Sequence, residues 1–124
     1  MSKLLYEDLT YKIIGICMEV HNNLGPGFLE IVYKDALEYE FTQSGIPFER
    51  EKKYEVKYKE IFLPHFFYAD FIVFDKIVLE VKSVSELSSE FEAQCINYMK
   101  VSGNRLSLLV NFGKSKLDSK RFIL

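Results

Sequence analysis

The chain has 124 residues, of which 48% are hydrophobic and 27% charged, and its formal net charge is −2. This composition excludes a wholly disordered chain, which would combine low hydrophobicity with high net charge, and it provides no broad basic surface. No run of about 18 apolar residues exists, and the N-terminus has no apolar signal core. Cys17 and Cys95 lie in apolar stretches and are expected to be reduced. We therefore expect one cytoplasmic domain over residues 1–124, without a membrane span.

Hydrophobic spacing predicts two helices at the start of the chain. The first is expected to be capped by Asp8 or Thr10 and to end before Gly25-Pro26-Gly27, because glycine suits the position after a helix and proline cannot continue one. The second is predicted from about Leu29 to Ser44. The apolar face of the first helix is expected to comprise Ile13, Ile14, Cys17, Met18, Val20 and Leu24.

After the second helix the hydrophobic period changes to two, which predicts strands. Alternation from Phe48 to Tyr58 is typical of a half-exposed strand, whereas the next two strands are almost continuously apolar and are expected to be covered on both faces. Pro64 and His65 are expected in a turn. The remaining predicted elements are strands at Phe66–Phe74, Ile77–Lys82, Arg105–Asn111 and Lys120–Leu124, and a third helix that is capped within Ser85–Ser89 and ends near Val101.

This order, α-α-β-β-β-α-β-(β), predicts an α/β fold of the α+β mixed-sheet kind. A meander of three strands, then a helix, then a further strand indicates one sheet that contains both antiparallel and parallel pairs, with helices packed on it.

Three charged residues interrupt the buried strands. Asp70 lies in the second strand, and Glu80 and Lys82 lie on one face of the third, because side chains alternate along a strand. Burying a charge costs several kcal/mol unless it is compensated. One interpretation is a structural ion-pair cluster. The other is a metal site, since two carboxylates that converge from neighbouring strands provide the oxygen ligands that magnesium or manganese prefers.

The pattern Asp70…Glu80-Val81-Lys82 resembles the signature of the PD-(D/E)XK nuclease superfamily, whose restriction-endonuclease-like core has a similar element order. The segment from Gln94 to Tyr98 is similar to the Gln-x-x-x-Tyr motif of its recombination-exonuclease branch. The segment from Gly27 to Tyr33 resembles the Gly-x-x-Glu-x-x-Tyr signature of the GxxExxY protein family, and the resemblance extends from about Leu9 to Phe112.

The resemblance implies a Mg²⁺- or Mn²⁺-dependent nuclease that acts on DNA or RNA. Asp70 and Glu80 would hold the metal, with the Val81 carbonyl and Glu30 as further ligands, and Lys82 would position the attacking water. Gln94 would orient the lysine or hold a metal-bound water. The accessory residues of the implied site are Tyr33, Tyr98 and His21.

Each implied role has a structural alternative. Glu30 suits the first turn of a helix, where the dipole favours an acidic residue, and Gln94 and Tyr98 are spaced for a simple i, i+4 contact. His21 can bond the last carbonyls of a helix. Tyr68 stands where the resemblance implies a basic residue, which removes one phosphate contact.

The function therefore has two main interpretations: a nuclease, or a non-catalytic module that binds nucleic acid or protein and retains the nuclease fold. A pocket for a small phosphate compound is a third. Because the chain is short, a homodimer or a partner protein is expected to complete any nucleic-acid groove. The aromatic residues are expected mostly in the core rather than in a base-stacking surface.

Overall fold

The structure, a computed structural model, describes residues 4–124. Five strands form one sheet in the order β1-β2-β3-β4-β5, in which β3 and β4 are parallel and the other neighbours antiparallel. The elements in chain order are α1 (Glu7–Leu24), α2 (Glu30–Gln43), β1 (Phe48–Tyr58), β2 (Ile61–Val73), β3 (Ile77–Lys82), α3 (Ser89–Ser102), β4 (Leu106–Asn111) and β5 (Asp118–Ile123). The predicted fold class, a mixed sheet with helices packed on it, is confirmed.

Helices cover both faces of the sheet. Side chains of α1 and α2, such as Ile13, Leu37 and Phe41, pack on one face against Leu79 of β3. On the other face Tyr98 of α3 packs against a smaller cluster of Ala69, Ile72 and Val78. Every residue of β4 is buried, as expected for a central strand that is covered on both sides. Within residues 4–124, no helix is both long and apolar enough to cross a bilayer.

The turn between β2 and β3 fixes the register of the central hairpin. Phe74 and Asp75 both have φ near +57°, and the N–H of Lys76 donates to the carbonyl of Val73 at 3.2 Å. Two central residues with positive φ define a type I′ turn, whose twist matches that of the flanking strands. The strands pair again at Val73 and Ile77, with three residues between them, and this register places Phe71 opposite Leu79.

The start of β2 was predicted five residues too late. The strand begins at Ile61 and includes Pro64 and His65, which were expected in a turn. Pro64 is tolerated because it lies within an irregular stretch of the β1–β2 ladder, between the paired residues Phe62 and Phe66. The expectation that β2 is covered on both faces holds only for its second half, since Phe66 is exposed.

Two local predictions for α1 were wrong. Neither Asp8 nor Thr10 caps the helix, which begins at Glu7 after Tyr6 in a left-handed conformation, and the Thr10 hydroxyl instead donates to the Glu7 carbonyl at 2.9 Å. Met18, assigned to the apolar face, is 52% exposed. The last strand also begins earlier than predicted, at Asp118, and pairs along its whole length with β4.

Candidate active site

Asp70 and Glu80 meet where β2 and β3 diverge. The regular pairing of these strands runs from Val73 and Ile77 to Phe71 and Leu79. At the next position the N–H of Asp70 donates to Glu80 Oε1 at 3.2 Å, and the N–H of Val81 donates to Asp70 Oδ2 at 2.8 Å. Each carboxylate therefore accepts a backbone N–H from the other strand.

The environment of Glu80 disfavours its charge. Only 4% of the residue is exposed, and burial raises the pKa of Glu80 well above its ordinary value, while the neighbouring Asp70 charge and a side-chain hydrogen bond to Asp70 raise it further. Without a cation, Glu80 thus retains its proton to higher pH than an isolated carboxyl. Groups whose pKa is shifted by burial and a like charge are typical of functional sites.

A buried lysine from α2 also contacts the pair. Lys34 Nζ donates to Asp70 Oδ1 at 2.9 Å and to the carboxylate of Glu51. Burial lowers the pKa of Lys34, but the hydrogen bonds to Glu51 and Asp70 outweigh this, and the pKa is raised overall. Lys34 was not among the site residues predicted from the sequence, although it lies beside Tyr33 in the helical stripe that continues at Leu37.

Glu51 reaches Lys34 because β1 changes conformation there. Glu51 has φ of +53°, a left-handed conformation that is unfavourable for a residue with a side chain. On one side of it Arg50 lies over the Phe71 ring, in the α1–α2 layer, and on the other side Tyr54 packs in the α3 layer. The side-chain pattern of β1 thus switches faces at Glu51, directly beside the acidic pair.

Lys82 follows Glu80 on the same face of β3, but its ammonium lies 4.8 Å from the centre of the Phe91 ring on α3. In the part of the chain that the structure describes, no ion pair joins Lys82 to Asp70 or Glu80. Its positive charge nevertheless contributes to the electrostatics of the pair, because it lowers the pKa of Glu80, although less than burial and Asp70 raise it.

Helix α3 brings Tyr98 close to the site. Its ring stacks on Phe67 with centroids 4.5 Å apart. Burial raises the pKa of Tyr98 to about 12, and the charges of Glu80 and Asp70 add to the shift. Gln94, four residues earlier on α3, is exposed, and its predicted role of orienting a lysine stays a prediction.

Glu30 lies at a separate place, at the start of α2. It lines a cavity of about 530 Å³ together with the chain that leaves β3 at Ser83 and with Gly113 after β4. Within residues 4–124, no three His, Cys, Asp or Glu side chains are grouped closely enough to hold a metal ion, so the structure does not join Glu30 to Asp70 and Glu80.

The other two accessory residues hold the loops around this cavity. The Tyr33 hydroxyl donates to the Gly25 carbonyl at 2.6 Å and accepts from the N–H of Phe28 at 3.2 Å. His21 Nε2 lies 2.8 Å from the carbonyl of Lys114, which ties the end of α1 to the loop after β4 rather than to the last turn of its own helix.

A mixed sheet whose central hairpin carries an acidic pair, with helices on both faces, is consistent with the fold of a PD-(D/E)XK nuclease. In agreement, a family model described as the PD-(D/E)XK nuclease superfamily matches residues 7–122. The chain therefore belongs to the PD-(D/E)XK nuclease superfamily, and the GxxExxY family within it stays a resemblance. A search of curated proteins finds no significant match. Membership indicates nuclease activity on nucleic acid, and members of this superfamily generally use divalent metals.

Proposed function

We propose that the protein hydrolyses phosphodiester bonds of DNA or RNA with Mg²⁺ or Mn²⁺ held by Asp70 and Glu80. The observation that supports this most is the buried carboxylate pair at the divergence of β2 and β3, where Glu80 has a raised pKa. Such a pair loses its mutual repulsion when a divalent cation binds it, so these donors fit the metal that the superfamily implies. The carbonyl of Val81 is a further candidate ligand.

The cation would supply positive charge that polarises a phosphoryl oxygen. The roles proposed for the protein's own groups are distinct. Asp70 is held in orientation by the N–H of Val81 and by Lys34, so its carboxylate is preorganised. Lys82 would stabilise the negative charge that develops on the phosphate, which is a transition-state role and needs no contact in the free enzyme. Glu30 would approach the phosphate or the ion from the cavity at the start of α2, and Gln94 would orient Lys82.

Calorimetric titration with Mn²⁺ tests the ligand assignment. We expect Asp70→Asn and Glu80→Gln to abolish binding, and Glu86→Gln, an exposed glutamate outside the site, to bind like wild type. Unchanged affinity in either of the first two variants would remove that residue from the ligand set.

Cleavage of oligonucleotides tests the catalytic assignment. Lys82→Met keeps the apolar stem and should leave Mn²⁺ binding intact, while turnover falls about 100-fold, comparable to the loss of one preorganised donor. Equal turnover in wild type and this variant would show that Lys82 is not part of the mechanism.

One observation favours the non-catalytic alternative. Lys34 already neutralises Asp70, as expected in a structural ion-pair cluster. If wild type cleaves no nucleic acid with either metal but binds one in a salt-dependent way, the protein is a binding module that retains the nuclease fold.

A further inference from the structure

The outer half of the β1–β2 hairpin exposes one aromatic face. Phe62, Phe66 and Tyr68 are 64%, 49% and 50% exposed, and they share a face of β2 because side chains alternate along a strand. Their partners on β1 are Lys57 opposite Phe62 and Lys53 opposite Tyr68. Glu55 lies opposite Phe66, and we call these six residues the open hairpin face.

The reverse side of the same hairpin is covered. Tyr54 and Phe67 stack with centroids 5.3 Å apart, and Tyr98 of α3 stacks on Phe67. The aromatic residues on that side therefore belong to the core. On the open hairpin face, by contrast, no helix within residues 4–124 covers the aromatic rings. Large contiguous apolar patches on a protein surface usually mark an interaction site. Most aromatic residues were expected in the core, and this face departs from that expectation.

Charge on the open hairpin face favours a nucleic acid. Lys53 Nζ lies 3.7 Å from the centre of the Phe66 ring, and Lys59 lies at the tip, over the Tyr58 ring. Residues 53–60 carry three lysines and two glutamates, a local charge of +1 in a chain whose net charge is −2. Lysines interleaved with exposed rings offer both phosphate contacts and stacking surfaces, the combination found where single strands bind.

The open hairpin face also leads to the acidic pair. Tyr68 lies two residues before Asp70 on β2. From Phe62 to Asp70 the strand extends about 26 Å, at about 3.3 Å per residue, which is long enough for several nucleotides. A strand bound along the hairpin would thus be delivered to Asp70 from the side on which Lys34 contacts it.

We propose that the open hairpin face binds single-stranded nucleic acid, with bases stacked on Phe62, Phe66 and Tyr68 and phosphates contacted by Lys53 and Lys57. This inference rests on the proposed function, for which it names the substrate class. Single strands are favoured over duplexes because only unpaired bases present their faces for stacking on side chains.

Fluorescence anisotropy with a labelled oligothymidylate of about 15 nucleotides, within the range of known single-strand site sizes, measures this binding. The buffer contains EDTA and no divalent metal, so that cleavage does not interfere. We expect Phe66→Ala to raise the Kd about tenfold or more, as measured for the loss of one stacking ring. The matched control is Tyr11→Ala, which removes an exposed ring from α1 and should leave the Kd unchanged.

The lysine variants test the same face without touching an aromatic residue. Lys53→Gln and Lys57→Gln should each reduce the slope of log K against log salt by about 0.7, the value for one phosphate contact on a single strand. Lys12→Gln on α1, an exposed lysine away from the hairpin, is the control and should not change the slope.

Three outcomes would overturn the inference. Equal affinity for a duplex of the same length would remove the preference for single strands. Unchanged binding in Phe66→Ala and both lysine variants would place the binding surface elsewhere. Concentration-dependent dimerisation that Phe66→Ala abolishes, without oligonucleotide binding, would show that a second copy covers the face.

The outcomes also separate this inference from the proposed function. Binding in EDTA is measured without cleavage, so the two proposals have independent readouts. Hairpin-dependent binding without any cleavage by wild type would support this inference and refute the nuclease. Cleavage by wild type that the hairpin variants leave unchanged would support the nuclease and refute this inference.

Discussion

Replacing Lys34 by methionine should destabilise the protein and strengthen its binding of a divalent cation. The substitution keeps the apolar stem but leaves Asp70 without its cationic partner. Removal of one partner from a buried ion pair costs about 3–5 kcal/mol. Here Asp70 keeps the N–H of Val81 and Glu51 is half exposed and can rehydrate, so we expect a loss of about 2 kcal/mol. For a chain of this size, that corresponds to a fall in Tm of about 6–10 °C.

The gain in cation affinity follows from the same contact. Lys34 Nζ lies 2.9 Å from Asp70 Oδ1, and a magnesium–oxygen distance is about 2.1 Å, so an ion on that oxygen lies within about 5 Å of the ammonium. Even at the dielectric constant of water, a divalent ion and a unit charge at that distance repel by about 1.7 kcal/mol. We therefore expect Lys34→Met to bind Mn²⁺ more than about tenfold more tightly than wild type.

Thermal unfolding in EDTA and calorimetry with Mn²⁺ measure the two effects, with Lys12→Met on α1 as the exposed control. Added Mn²⁺ should raise the Tm of Lys34→Met more than that of wild type, because tighter binding to the folded state stabilises it more. A metal-free Tm within about 1 °C of wild type, or an unchanged Mn²⁺ affinity, would refute the reasoning.

Three further predictions concern pH, the glycines and the thiols. In metal-free buffer, wild-type stability should fall as pH rises above 4.5, because Glu80 holds its proton more tightly in the folded chain than in the unfolded chain. Glu80→Gln should remove this dependence of Tm on pH. The same dependence in both proteins would contradict the raised pKa of Glu80. Gly113→Ala should cost about 2–3 kcal/mol or more, since its Cβ would collide with the backbone of Val84. In Gly15→Ala the added Cβ meets nothing within 4 Å, so the free energy of unfolding from denaturant titration should rise by about 0.5–1 kcal/mol. Equal changes in the two glycine variants would contradict the close packing at Gly113. Burial raises the pKa of Cys17 to about 12 and that of Cys95 to about 11, so neither should react with a thiol reagent until the protein unfolds, and rapid native-state labelling of either would show exposure.

Local patterns were sufficient to predict the element order. Glycine and proline at Gly25–Gly27 mark the end of α1, and the change of hydrophobic period after α2 marks the start of the sheet. The start of β2 could not be predicted in this way, because the segment from Ile61 contains Pro64 and extends beyond the core, where burial no longer imposes a pattern.

The site was only partly predictable for a similar reason. The spacing of Asp70 and Glu80 was informative because a tight hairpin brings such positions together. The contact of Lys34 with Asp70 was harder to predict, since a lysine at the border of an apolar helical stripe usually extends its ammonium to solvent. Nothing in the sequence predicts the left-handed conformation of Glu51, because in a non-glycine residue it is imposed by tertiary contacts.

The connections within the sheet have a consequence for the folding pathway. Asp70 and Glu80 lie on strands that a three-residue loop joins, and hairpins form in about 1–10 μs. The parallel pairing of β3 with β4 must wait for α3 to be placed between them. We therefore expect the two carboxyls to meet early, while water still surrounds them, and to be buried only when the second half of the sheet closes. A metal ion or proton that binds Asp70 and Glu80 only in the folded protein should therefore change the unfolding rate and leave the folding rate almost unaltered.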